Sequence, residues 1–216
     1  MSATKYFHEA GGGHYDARFF RGCLEPELIV NILMDLLANF TRLCRTAGVT
    51  PILMHGGLIG WFWSRNLLPW DDDLDLGLLG SDLTSLQECA SDTDGFLFDV
   101  NPNHRCRVSL NRHHHENFEP NRIDARFIHT PTGLFIDISL IVRSAPGLWS
   151  TKCPHHYREE DLFPLRETEV GGIPIHVPHR PDRVLEQEYG PNAIREPYYG
   201  PWVFNALTRS WNFGWR

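Results

Sequence analysis

Residues 69–77 read PWDDDLDLG, four carboxylates within five positions, two of them alternating with leucine. In an extended strand residues two apart project to the same side, so Asp73 and Asp75 share one face while Leu74 and Leu76 anchor the other. Carboxylates on one face repel each other unless a cation sits between them. Hard oxygen donors at this spacing suit Mg²⁺ or Mn²⁺, and paired ions about 3.5–4 Å apart are a common device for polarising phosphoryl groups. The plain alternative is a solvated acidic loop. An EF-hand calcium loop fails on detail, because its sixth position requires glycine and is Leu76, and its twelfth requires glutamate and is Asp82.

Working towards the N-terminus, HGGLIGWFWSRN at 55–66 reads as a glycine-rich turn running into a helix. Gly56 and Gly57 follow a short buried strand expected over 49–54, and missing side chains there let a ligand phosphate approach backbone N–H groups and the helix's positive end. Arg65, at the far end of that helix and close in sequence to the Asp run, is a candidate for neutralising a diphosphate; the alternative is a surface arginine. Before the strand, apolar residues recur over 25–47 with the stripe of a core-facing helix, which Gly48 stops. Residues 1–23, with GGGH at 11–14, show no periodicity and read as an ordered loop.

Towards the C-terminus, a short helix is expected over 82–90, with strands over 96–100 and 105–110. The polar stretch 111–121, with its run of histidines at 113–115, reads as a loop. Segments 122–129 and 134–142 flank Thr-Pro-Thr-Gly, a hairpin signal. A four-residue loop places Arg126 opposite Asp137 and Asp124 opposite Ser139. Two readings follow: a buried Arg126–Asp137 ion pair, or Asp137 joining Asp73 and Asp75 as third metal ligand while Arg126 meets a substrate phosphate. Beyond 145 the chain is rich in Pro, Gly, His and aromatics, with one helix expected over 182–189. The reading is one domain over 1–216, with a core at 24–145 and a loop-rich extension, 146–216, packed on it.

The chain has 216 residues, 42% of them apolar, enough for one sizeable core. A formal charge of −7 and pI near 5.9 argue against nucleic acid as a partner, which would require a basic stripe. The five cysteines form no CxxC pair, so structural zinc is not expected. No apolar run reaches the roughly 18 residues a membrane span needs, and no signal sequence opens the chain, which does not exclude its being part of a longer anchored protein. Among the histidines, His8, His14, His55, His176 and His179 have no zinc-helix spacing, whereas His155 and His156 in HHYREEDLFPL have a better claim to line a cleft.

With these residues on the page, HGGLIGWFWSRNLLPWDDDLDLGLL and NRIDARFIHTPTGLFIDISLIV resemble the LicD family, whose relatives include fukutin-related protein. The shared order is a glycine-rich element, an arginine, a PWDxDxD strand and a later apolar strand with a single Asp. HHYREEDLFPL, the Tyr189–Gly190 pair and the opening KYFHEAGGGHYDARFF resemble it too, the last looking like fungal members tied to mannosylphosphorylation. The resemblance implies an α+β fold, a nucleotidyltransferase-like mixed sheet flanked by helices. It further implies transfer of a substituted phosphate, of the phosphocholine, ribitol-phosphate or mannosylphosphate kind, from a CDP- or GDP-linked donor to a glycan acceptor in the Golgi or secretory lumen. It assigns Asp73, Asp75 and Asp137 as catalytic metal ligands for Mg²⁺ or Mn²⁺, with Asp71 nearby. Arg126 stands with them as a catalytic candidate, and Gly56, Gly57, Arg65 and His155 as substrate-binding ones. Asp72 departs from the bulky residue usual between the first two acids. A non-catalytic regulator of glycan mannosylphosphorylation is the alternative.

Overall fold

A computed structural model describes residues 5–90, 95–106, 122–152 and 155–214. In chain order the elements are β1 (Glu9–Ala10), β2 (Tyr15–Asp16), α1 (Pro26–Ala47), β3 (Ile52–Leu53), α2 (His55–Ser64), β4 (Leu74–Leu79) and α3 (Leu83–Cys89). There follow β5 (Phe96–Val100), β6 (Ala125–His129), β7 (Phe135–Ala145), β8 (Leu148–Ser150), β9 (His156–Arg158), α4 (Glu159–Leu162), β10 (Arg166–Val170) and β11 (Ile173–Val177). The chain closes with α5 (Pro181–Tyr189), β12 (Tyr198–Tyr199), β13 (Trp202–Asn205) and β14 (Ser210–Phe213).

The large sheet has the order β10-β11-β3-β4-β7-β6-β5, with β8 and β9 continuing from β7. It is mixed, since β4 runs parallel to β7 and β11 to β3, while the other pairs are antiparallel. The α+β expectation therefore holds. Cross-strand partners share a face, so Leu74, Leu76, Ile136, Ile138 and Phe127 line one side of the sheet. There Phe127 meets Phe40 of α1 at 5.3 Å between ring centroids, and α1 buries Leu33, Leu36, Leu37 and Phe40. On the opposite side Asp75, Asp137, Arg126 and Asp99 fall in one row across β4, β7, β6 and β5. Since β7 lies between β4 and β6 and is covered on both faces, its polar residues are held away from bulk water.

Several elements begin later than the sequence suggested. The strand expected over 49–54 shortens to Ile52–Leu53, because Pro51 has no N–H to donate to a ladder. The 105–110 strand falls largely, and the 111–121 loop wholly, outside the described residues. The 146–216 stretch carries short strands among its loops, and β10 and β11 join through Gly171 and Gly172, both at positive φ, to extend the main sheet. The segment 1–23 holds the β1–β2 pairing. Among the described residues, no helix is long and apolar enough to cross a membrane.

Candidate functional site

The glycine pair does not form a turn ahead of α2. The helix starts at His55, so Gly56 and Gly57 lie in its first turn. The two glycines have different neighbours. A Cβ on Gly56 would stand 2.7 Å from Asp71 Oδ2, whereas one on Gly57 would meet Leu53 and Leu74 side chains at 2.9 Å. Gly56 thus opens the helix end to the carboxylates. Gly57, by contrast, allows close packing of the helix on the sheet.

Five acidic side chains, Asp71, Asp72, Asp73, Asp75 and Asp137, act on one another here. Burial raises Asp71 to about 8, reinforced by the charges of Asp73, Asp75 and Asp72. Burial likewise takes Asp75 to about 7, with Asp73 and Asp137 adding to it and His55 opposing. Asp137 rises to about 6 through burial that outweighs Arg126, with Asp73 pushing the same way. Each of these raised values reflects the cost of a bare charge here, and the carboxyls of Asp71, Asp75 and Asp137 offer hard oxygen donors. A divalent cation of the Mg²⁺ or Mn²⁺ class fits such a set. Among the described residues, the three donor atoms lying within 4.8 Å of one another are those of His14, Asp72 and Asp73, a set that shares only Asp73 with the expected Asp73, Asp75 and Asp137. His14 Nδ1 is 2.6 Å from Asp72 Oδ1 and its Nε2 is 3.9 Å from Asp73 Oδ2. That places the N-terminal GGGH loop over the cluster, and Gly13 makes the approach possible, because a Cβ there would lie 2.6 Å from Asp72 Oδ2.

Arg126 is 1% exposed, and its Nε and Nη2 are hydrogen-bonded, while the buried Nη1 has no hydrogen-bond partner and lies 3.7 Å from Asp16 Oδ2. Its Nε donates to Asp137 Oδ1 at 2.7 Å and its Nη2 to Glu9 Oε1 at 2.7 Å. Its guanidinium lies 3.6 Å from the Phe135 ring centroid and 4.8 Å from that of Phe7. The buried Arg126–Asp137 ion pair is therefore present, and through it Arg126 orients the Asp137 carboxylate. Arg65 is not brought to the carboxylates either. It caps the C-terminal end of α2, roughly 13.5 Å along the axis from Gly56 at 1.5 Å per residue. There it stacks on Trp61 at 3.8 Å, and burial followed by Arg209 and Arg166 lowers its pKa.

Sequence reasoning singled out neither His55 nor Glu188. His55, at φ 49, places Nδ1 3.0 Å from Glu188 Oε2. The Tyr157 hydroxyl donates to the other Glu188 oxygen at 2.5 Å. Burial alone would depress His55, yet Glu188, with help from Asp75 and Asp73, lifts it to about 9. His155 does line this corner, its ring centroid 5.3 Å from that of His55, and burial lowers its pKa. The histidines at 113–115 lie outside the described residues.

The parallel pair β4–β7 thus gathers carboxylates beside the glycine-opened end of α2. Residues 48–180 match the model for the LicD/FKTN/FKRP nucleotidyltransferase domain, and the chain belongs to this family. It is similar to Mannosyltransferase regulator 4 of Saccharomyces cerevisiae, with 29% identity over 73% of this chain and 14% of the relative. Mannosyltransferase regulator 14 of the same yeast is 32% identical over 62% of this chain and 16% of the relative. The mouse Ribitol 5-phosphate transferase FKRP is 23% identical over 91% of this chain and 39% of the relative. The chain thus spans only a small part of the yeast regulators. Among solved structures, the lincomycin-bound lincosamide antibiotic adenylyltransferase LnuA aligns with a TM-score of 0.44 and 15% identity, over 74% of this chain and 93% of that one.

Proposed function

We propose that this chain is a metal-dependent phosphotransferase that moves a substituted phosphate from a CDP- or GDP-linked donor to a glycan acceptor. One observation carries the reading: Asp75 and Asp137 are cross-strand partners, and both feel the charge of Asp73 beside the open end of α2. The relative named for ribitol 5-phosphate transfer supports it.

Asp73, Asp75 and Asp137 would hold the cation, Asp71 standing by and Arg126 fixing the Asp137 carboxylate. When bound, the cation supplies Lewis-acid neutralisation of the diphosphate. The backbone N–H groups that begin α2 receive phosphate oxygens past the bare Gly56. The acceptor oxygen bonds to phosphorus, the diphosphate P–O bond breaks, nucleoside monophosphate departs and the acceptor proton passes to a base or water. The protein's part is positioning and charge placement.

The test is a thermal-shift panel of CDP- and GDP-linked donors with Mn²⁺, because ligand binding to the folded state raises its melting point. A donor that stabilises wild type should then support transfer, and Asp73→Asn should remove both effects. Undiminished transfer in folded Asp73→Asn contradicts the assignment. The yeast relatives' names favour a second reading, a regulator that binds glycan without catalysis. Glycan binding with neither donor nor Mn²⁺ binding selects it.

A further inference from the structure

Beside the carboxylates lies a cleft of about 1220 Å³, bounded by the start of α1, the turn at 69–72 and the last hairpin. Its aromatic wall is continuous. Trp70 has Trp202 at 5.2 Å between ring centroids and Tyr199 stacked at 5.3 Å with an interplanar angle of 16°. Trp202 in turn meets Phe213 edge-on at 5.4 Å. Tyr199 and Phe213 remain 63% and 61% exposed, an apolar ledge left in water next to the candidate centre. Glu25, Glu27, Asp71 and Asp72 line the cleft too, the Asp72 carboxylate held by His14 at 2.6 Å, and no Lys, Arg or His is among the described residues that line it.

We infer that this cleft is the acceptor subsite and takes a neutral oligosaccharide, an inference that rests on the transfer reading above. Three features select that occupant. An anionic diphosphate is repelled by a wall of carboxyls without a cation, so the donor belongs at the open end of α2. A sugar ring presents apolar C–H groups that lie on aromatic faces and hydroxyls that donate to carboxylates, which is what the lining residues offer. The volume exceeds the roughly 300–1,000 Å³ typical of one small ligand, so more than one ring fits. Asp71 and Asp72 belong both to the cleft and to the carboxylate cluster, so a chain seated on the ledge directs its end towards the metal ligands.

The experiment titrates a panel of neutral mannose-, galactose- and glucose-based tetrasaccharides into the full chain without donor or metal, followed by tryptophan fluorescence and calorimetry. At least one should bind saturably. Phe213→Ala should weaken it about tenfold or more with the melting point unchanged, because that ring is exposed. Trp202→Ala should weaken binding likewise, with some loss of melting point because that ring packs on Trp70 and Phe213. Asp73→Asn should bind saccharide as wild type does, so glycan binding without any transfer by wild type supports the cleft and defeats the transfer reading. Binding by no tetrasaccharide, or binding indifferent to both aromatic variants, overturns the inference. Saturation of the cleft by choline in place of saccharide also overturns it, in favour of a cationic occupant.

Discussion

Asp75 on β4 and Asp137 on β7 are direct partners of a parallel strand pair, their backbones one strand spacing apart. Two acids this close on a shielded face destabilise the metal-free fold while both are charged. Asp75→Asn should therefore raise the stability of the metal-free protein at pH 8, by about 1–3 kcal/mol, while lowering transfer by several orders of magnitude. Urea unfolding and a transfer assay on the same preparation test both halves.

The pH dependence follows from raised carboxyl values. Groups held near 8, 7 and 6 keep protons that the unfolded chain, at 3.8, gives up. Stability of the metal-free fold is then lost as pH rises from the unfolded value through these folded ones. Melting temperatures should fall between about pH 5 and 8 in chelator, and Mn²⁺ should restore more at pH 8 than at pH 5, because cation binding must displace those protons. A flat profile in chelator would remove the case for a strained cluster.

Arg126 is closed in by Asp137, Glu9 and two aromatic rings. Removing one partner from a buried pair leaves an uncompensated charge, so Arg126→Ala should cost about 3–5 kcal/mol in chemical denaturation. Arg126→Lys should recover only part of it, since lysine lacks the planar fork.

Adjacent glycines should respond differently. Gly56→Ala pushes its methyl at the Asp71 carboxyl, so Mn²⁺ affinity should fall with little loss of fold. Gly57→Ala drives its methyl into Leu53 and Leu74, and should cost about 1–3 kcal/mol of stability. Calorimetric Mn²⁺ titration alongside unfolding separates the two.

Glu188 lifts His55 to about 9 against its burial. In Glu188→Gln the burial penalty is opposed only by the charges of Asp75 and Asp73, so the His55 imidazole should titrate below its wild-type value, a change read directly by NMR. An unmoved titration would show that Glu188 does not set the charge of His55.

Local pattern carried much of this fold. The alternation in 74–76 and the Thr-Pro-Thr-Gly turn agree with the face that Asp75 and Asp137 share, and the Arg126–Asp137 pairing matches the observed register. The β10–β11 hairpin was equally legible, since Gly171-Gly172 between two strand-like runs is a two-residue turn signal, but the surrounding Pro and Gly content obscured it. Other features had no local signal. Nothing in the sequence near Glu188 indicates that it meets His55, and nothing in GGGH indicates that His14 closes over Asp72. Arg65 misled because nearness in sequence to the Asp run is undone by the length of α2, which carries it to the opposite end.

The most direct test of the central claim is calorimetric Mn²⁺ binding to wild type and to Asp73→Asn, Asp75→Asn and Asp137→Asn, at pH 8. Wild type should bind saturably with proton release, and each substitution should weaken binding by about tenfold or more while the protein stays folded. Equal Mn²⁺ affinity in all four proteins would contradict a shared cation centre on these three aspartates.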